Sequence, residues 1–155
     1  MSKINFYILL FFLIAKCGYE PMYSKNKMNY SIGEIQISEK NQLNRKIKSN
    51  LKNYFNKNKK KDIYDLKIKS NKKITIISKN TKGNAIIFNM EMELNLEIIK
   101  KDSINKTKVY KEEFSYTNNS NKFELSGYEE NIENNLINKI IDNILLDLYS
   151  LQNDI

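Results

Sequence analysis

A single thiol is the side chain whose type and position most clearly ask for chemistry. Cys17 is the only cysteine among 155 residues, and it follows the apolar run 4–15 that begins after Lys3. An apolar run of about a dozen residues is too short to cross a bilayer core as a helix, which takes about 20. A positive start, a short apolar core and a boundary residue are instead the layout of an export signal. A lone thiol at that boundary is a candidate for lipid attachment. The expectation is a signal peptide over 1–16, a lipid-anchored linker over 17–30 starting at Cys17, and one domain over 31–155 working outside the cytoplasm.

The remaining residues offer little else of this kind. Histidine is absent, which removes the commonest general base and the commonest metal ligand. With one cysteine, neither a zinc cluster nor an internal disulfide can be assembled, so the fold must hold by packing. No motif arranges the carboxylates, lysines, serines or tyrosines for catalysis. The sequence therefore points to a non-enzyme with no metal, no cofactor and no catalytic residues. The formal charge is +8, from 26 Lys+Arg against 18 Asp+Glu. Lysine, asparagine and isoleucine are abundant everywhere, which reads as compositional bias, so total charge carries less weight than its placement. Nucleic-acid binding through the basic surface is disfavoured by the export signal and by the lack of an aromatic-and-basic recognition motif.

The elements follow from periodicity. Ile35 and Ile37 alternate within 31–38, a short strand. Leu43, Ile47, Leu51 and Phe55 recur at helical spacing, predicting a helix over about 41–56 that the lysine tract 57–61 ends. Tyr64, Leu66 and Ile68 alternate with polar residues, Ile74 and Ile76 continue the pattern, and 80–84 with Gly83 reads as a hairpin tip. Phe88, Met90, Met92, Leu94, Leu96 and Ile98 then point one way while Asn89, Glu91, Glu93, Asn95 and Glu97 point the other. That second face either meets a partner or faces water. A fourth strand runs through Val109, Tyr110, Phe114 and Tyr116. Ser126 with Glu129 reads as a capping box for a long terminal helix. Its stripe is Tyr128, Ile132, Leu136, Ile140, Ile144, Leu148 and Leu151, widened by Ile137, Ile141 and Leu145.

The predicted fold is α+β, a two-layer sandwich of a four-stranded mixed sheet with two helices on one face, in the order β-α-β-β-β-α. The strand–helix–strand crossover makes the first two strands parallel, and hairpins make the rest alternate. This topology collects Lys59, Lys60, Lys61, Lys100, Lys101 and Lys106 at one end of the sheet. The start of the first strand emerges from the same end.

The run Cys17-Gly18-Tyr19-Glu20-Pro21-Met22-Tyr23 resembles the opening of mature LptE-type lipopolysaccharide (LPS)-assembly lipoproteins in their alphaproteobacterial form. Asn44-Arg45-Lys46-Ile47-Lys48-Ser49-Asn50-Leu51 is similar to the family's first helix, and Tyr64-Asp65-Leu66-Lys67-Ile68 to its second strand. Ser115-Tyr116-Thr117-Asn118 sits where the family has Ser-Tyr-Asn ahead of the terminal helix. The resemblance implies an outer-membrane lipoprotein of the inner leaflet, facing the periplasm or the barrel lumen. It would plug the LptD-type β-barrel of the LPS translocon, assist that barrel's assembly and bind lipopolysaccharide. Lys16 stands where the family's lipobox has a small residue, and a bulky cation there should fit the signal peptidase poorly. Within this frame Lys59, Lys60, Lys61, Lys100, Lys101 and Lys106 either meet the phosphates of LPS or anionic lipid, or form a solvated face of biased composition. A different role, a free-standing periplasmic lipoprotein that binds or inhibits a soluble partner, fits the same anchor.

Overall fold

The computed structural model of the chain describes residues 30–54, 62–100 and 103–153. Among these residues four strands and two helices follow one another as β1 (Tyr30–Ile37), α1 (Gln42–Lys52), β2 (Asp62–Lys79), β3 (Ala85–Lys100), β4 (Ser103–Thr117) and α2 (Lys122–Asn153). They form one sheet in the order β1-β2-β3-β4, with β1 parallel to β2 and the other pairs antiparallel. The predicted α+β sandwich and element order are those observed.

The period-two pattern of β3 explains its position in the sheet. Met90, Met92, Leu94, Leu96 and Ile98 are all buried, and Leu66, Ile68 and Tyr64 on β2 share their face. Above them lie Ile47 and Leu51 of α1 and Ile132, Leu136, Ile137, Ile140, Ile141, Ile144, Leu145 and Leu148 of α2. The eight-residue α2 stripe is too broad for a coiled-coil seam and suits a sheet surface. Tyr128, expected in that stripe, is instead 47% exposed, with its ring edge-on to Tyr116.

The opposite face of the sheet is polar. Lys67 pairs with Glu97 at 3.2 Å, Lys111 with Glu93 at 3.0 Å, and Asn89 donates to Glu113 at 2.9 Å. These are cross-strand neighbours, so the residues that alternate with the core also stitch the strands together.

The caps fix where the helices start. Asn41 has an extended ψ of 166°, and its Oδ1 accepts from the Asn44 backbone N–H at 2.7 Å, so α1 begins where expected. α2 differs from expectation. It begins at Lys122, not beyond Ser126, because Asn121 caps it: its Oδ1 accepts from the N–H of Phe123 at 3.1 Å and of Glu124 at 3.4 Å. Its Nδ2 in turn donates to Glu124 at 2.9 Å. Ser126 is therefore an exposed residue of the second helical turn. Leu125, buried seven residues before Ile132, carries the apolar stripe into that added turn.

Gly33 lies where β1 shifts register against β2. A Cβ there would fall 2.9 Å from Ile63 Cγ2 and still nearer to Asp65 Oδ1. That oxygen accepts from the Glu34 N–H at 2.6 Å, so the strands come together only because position 33 has no side chain.

Candidate functional site

The register brings one set of strand ends together. Tyr30 at the start of β1 pairs with Asp62 at the start of β2, and Lys100 at the end of β3 pairs with Ser103 at the start of β4. This is the end of the sheet where the sequence collects its candidate lysines. Lys100 and Lys106 are described there. Lys59, Lys60, Lys61, Lys101 and the anchor candidate Cys17 lie outside the described residues.

An aromatic pair underlies this end. Tyr30 and Tyr64 are buried with ring centroids 6.1 Å apart in an edge-on arrangement, and the Tyr30 hydroxyl donates to the Leu145 carbonyl at 3.4 Å. Lys100 places its Nζ 5.5 Å from the Tyr64 ring centroid, a cation over a π face. Lys106, opposite Ile98, is half-buried on the helix-facing side of β4. Next on that face come Lys108 and Tyr110, both bonded to Asp147 of α2. Lys108 makes an ion pair with Oδ1, and the Tyr110 hydroxyl donates to Oδ2 at 2.5 Å. Burial would raise the Asp147 carboxyl, but bonds from Lys108 and Tyr110 and the positive field of Lys106 outweigh it and hold it below its ordinary value. Burial, followed by the bond to Asp147, pushes the Tyr110 phenol far above its ordinary range. Lys108 and Asp147 were not legible as a pair, because only the fold brings residues so far apart in the chain into contact.

A cleft of about 550 Å³ opens further along the sheet, between the start of α1, the middle of β2 and the first half of α2. Glu133 crosses it, bonded to Lys46 at 3.0 Å and to Lys72 at 2.5 Å. Burial alone would raise this carboxyl, yet the two lysines hold it below its usual value. Glu129 accepts from the Tyr116 hydroxyl at 2.6 Å, and burial together with that bond pushes the phenol well up. Each of these half-buried carboxylates thus serves a structural pair, an arrangement that ties α2 to the sheet. Among the described residues no group of His, Cys, Asp and Glu is placed to hold a metal ion, and no helix is long and apolar enough to cross a membrane.

No family model matches the chain, and no curated protein matches it by sequence. Solved structures do share its fold. Rare lipoprotein B from Shewanella oneidensis matches with a TM-score of 0.58 at 13% identity, over 79% of this chain and 97% of that one. A protein described as a lipoprotein from Caulobacter crescentus gives a TM-score of 0.60 at 10% identity, over 81% and 91%. The minor lipoprotein from Acinetobacter baumannii gives 0.55 at 13% identity, over 79% and 93%. The mixed four-stranded sheet under two helices is therefore a fold that this chain has in common with these lipoproteins, nearly from end to end of each.

Proposed function

We propose that this chain is a lipid-anchored outer-membrane lipoprotein, acylated at Cys17, that sits as a subunit and plug in an LPS-translocating β-barrel. In that place it assists assembly of the barrel and binds lipopolysaccharide, with no bond made or broken. The observation that carries the proposal is the coincidence of a boundary cysteine, opening the run Cys17-Gly18-Tyr19-Glu20-Pro21-Met22-Tyr23, with a body whose fold recurs in solved lipoproteins. The cationic end agrees with it. Lys100 and Lys106 lie on β3 and β4 at the end of the sheet where β1 begins and from which the chain leads back to Cys17, so a tether there would bring that end to an anionic lipid surface.

Two measurements test the proposal. Growth with a clickable fatty acid should label the wild-type protein and leave Cys17→Ser unlabelled; label retained in the variant removes the anchor. Purification from detergent-solubilised membranes should then bring down a β-barrel of large mass. Its consistent absence favours the free-standing periplasmic lipoprotein.

A further inference from the structure

β2 is longer than the strand it pairs with. β1 covers it only from Asp62 to Ile68, where the Ser38 N–H still donates to the Ile68 carbonyl at 3.0 Å. At Ser70 side chains take over the edge: Asn44 Oδ1 accepts from the Ser70 N–H at 2.9 Å, and Asn41 Nδ2 donates to the Ser70 carbonyl at 3.4 Å. In a strand, alternate residues direct N–H and C=O to the same side. Lys72, Ile74 and Ile76, whose register partners on the inner side are Met92, Met90 and Phe88 of β3, therefore turn their backbone groups to the opposite edge, where among the described residues no strand covers them.

Three observations distinguish this stretch from an ordinary solvated edge. Ile74, Ile76 and Ile77 are 42%, 50% and 56% exposed, an apolar run on an open strand. Lysine on an edge normally discourages pairing, but Lys72 is drawn inward over the sheet by its bond to Glu133 at 2.5 Å. The cleft of about 550 Å³ adjoins the same edge, with Ile74 and Lys72 in its lining, and leaves space for added side chains.

The geometry points to a strand-docking site: an extended segment of another protein adds to β2 along 72–76 as a further strand, apolar and acidic in alternation. The acidic requirement comes from the uncovered part of β2 and the turn after it, since the acidic residues of the hairpin lie on the β1-covered start of β2 (Asp62, Asp65) and on the inner strand β3 (Glu91, Glu93, Glu97). Residues 66–90 contain Lys67, Lys69, Lys72, Lys73, Lys79 and Lys82 and no aspartate or glutamate. Lys73 and Lys79 are exposed and form no ion pair among the described residues. A second copy of the chain would set like charges side by side, which disfavours self-pairing. Backbone bonds supply the affinity in such docking and the alternate side chains the selectivity. The site is independent of the lipid anchor and of LPS binding.

The test uses the full-length protein in detergent and a nine-residue alternating valine–glutamate peptide, read by amide hydrogen exchange. Saturating peptide should slow exchange at Lys72, Ile74 and Ile76 by about tenfold or more, leaving Thr75, paired with Asn89 inside the ladder, unchanged. Ile74→Pro removes an edge donor without touching the β2–β3 ladder and should abolish protection at Lys72 and Ile76. Lys72→Glu with Lys73→Glu should weaken that peptide about tenfold and admit a valine–lysine peptide in its place, a reversal that keeps the test decisive if the proline variant does not fold. Unchanged exchange at saturating peptide overturns the proposal. So does equal protection by the valine–lysine peptide on the wild type, by phosphatidylglycerol vesicles alone, or by raising protein concentration without peptide.

Discussion

Asn44 shows how much a single buried polar residue can hold. It is fully buried, accepts from the Ser70 N–H at 2.9 Å and the Ser70 hydroxyl at 2.6 Å, and donates to the Glu39 carbonyl at 2.8 Å. Asn44→Ala should cost about 2–3 kcal/mol in urea unfolding, since it strands the N–H and hydroxyl of the buried Ser70. The pH dependence of stability has its origin at the same scale. Asp147 and Glu133 both titrate lower in the folded chain than their ordinary values of about 3.9 and 4.3. The unfolded chain then binds more protons across that window, so stability is full above about pH 5 and falls as pH drops through it. Urea midpoints between pH 3 and 7 should show this slope, and Asp147→Asn with Glu133→Gln should flatten it. None of these pairings was legible in the sequence. Asn44 lies in an asparagine-rich stretch where nothing marks it as interior, and Glu133 looks like any exposed helical carboxylate until Lys46 and Lys72 are brought beside it.

Elements were more legible, because hydrophobic period records which face is buried. β3 declares itself through Met90 to Ile98, and the structure buries those residues as the alternation requires. The start of α2 was harder to see. Ser126 and Glu129 fit the capping pattern, but Asn121 and Glu124 fit it as well, and burial of Leu125 decides between them. The expected signature is asymmetric: Asn121→Ala should lower stability by about 1 kcal/mol, whereas Ser126→Ala should leave it unchanged within experimental error. Within α2, Leu136→Ala should cost about 2–5 kcal/mol, as Leu136 lies fully inside the sheet–helix layer. Thermal or urea denaturation followed by circular dichroism reads all three.

For the whole molecule, the crossover rule foretold the parallel β1–β2 pair, and that pair brings the ends Tyr30, Asp62, Lys100 and Ser103 together. The lysines there were visible in the sequence, although composition alone could not separate a phosphate-binding end from a solvated one. Charge reversal to glutamate at Lys59, Lys60, Lys100 and Lys101 addresses this directly. At about 1 kcal/mol per lysine near an anionic surface, the variant should bind LPS at least about tenfold more weakly at low salt. Equal binding, measured by titration of the detergent-solubilised protein, assigns the lysines to solvent.

The parallel pairing also determines how the body bears load. The chain enters at Tyr30, and the eight residues of β1 run alongside β2 in the same direction. Tension arriving through the residues ahead of Tyr30 pulls along the strand and across its ladder, straining the rungs together instead of opening them one after another. A body moored by its N-terminus would thus be gripped in shear, with the whole β1–β2 ladder sharing the pull.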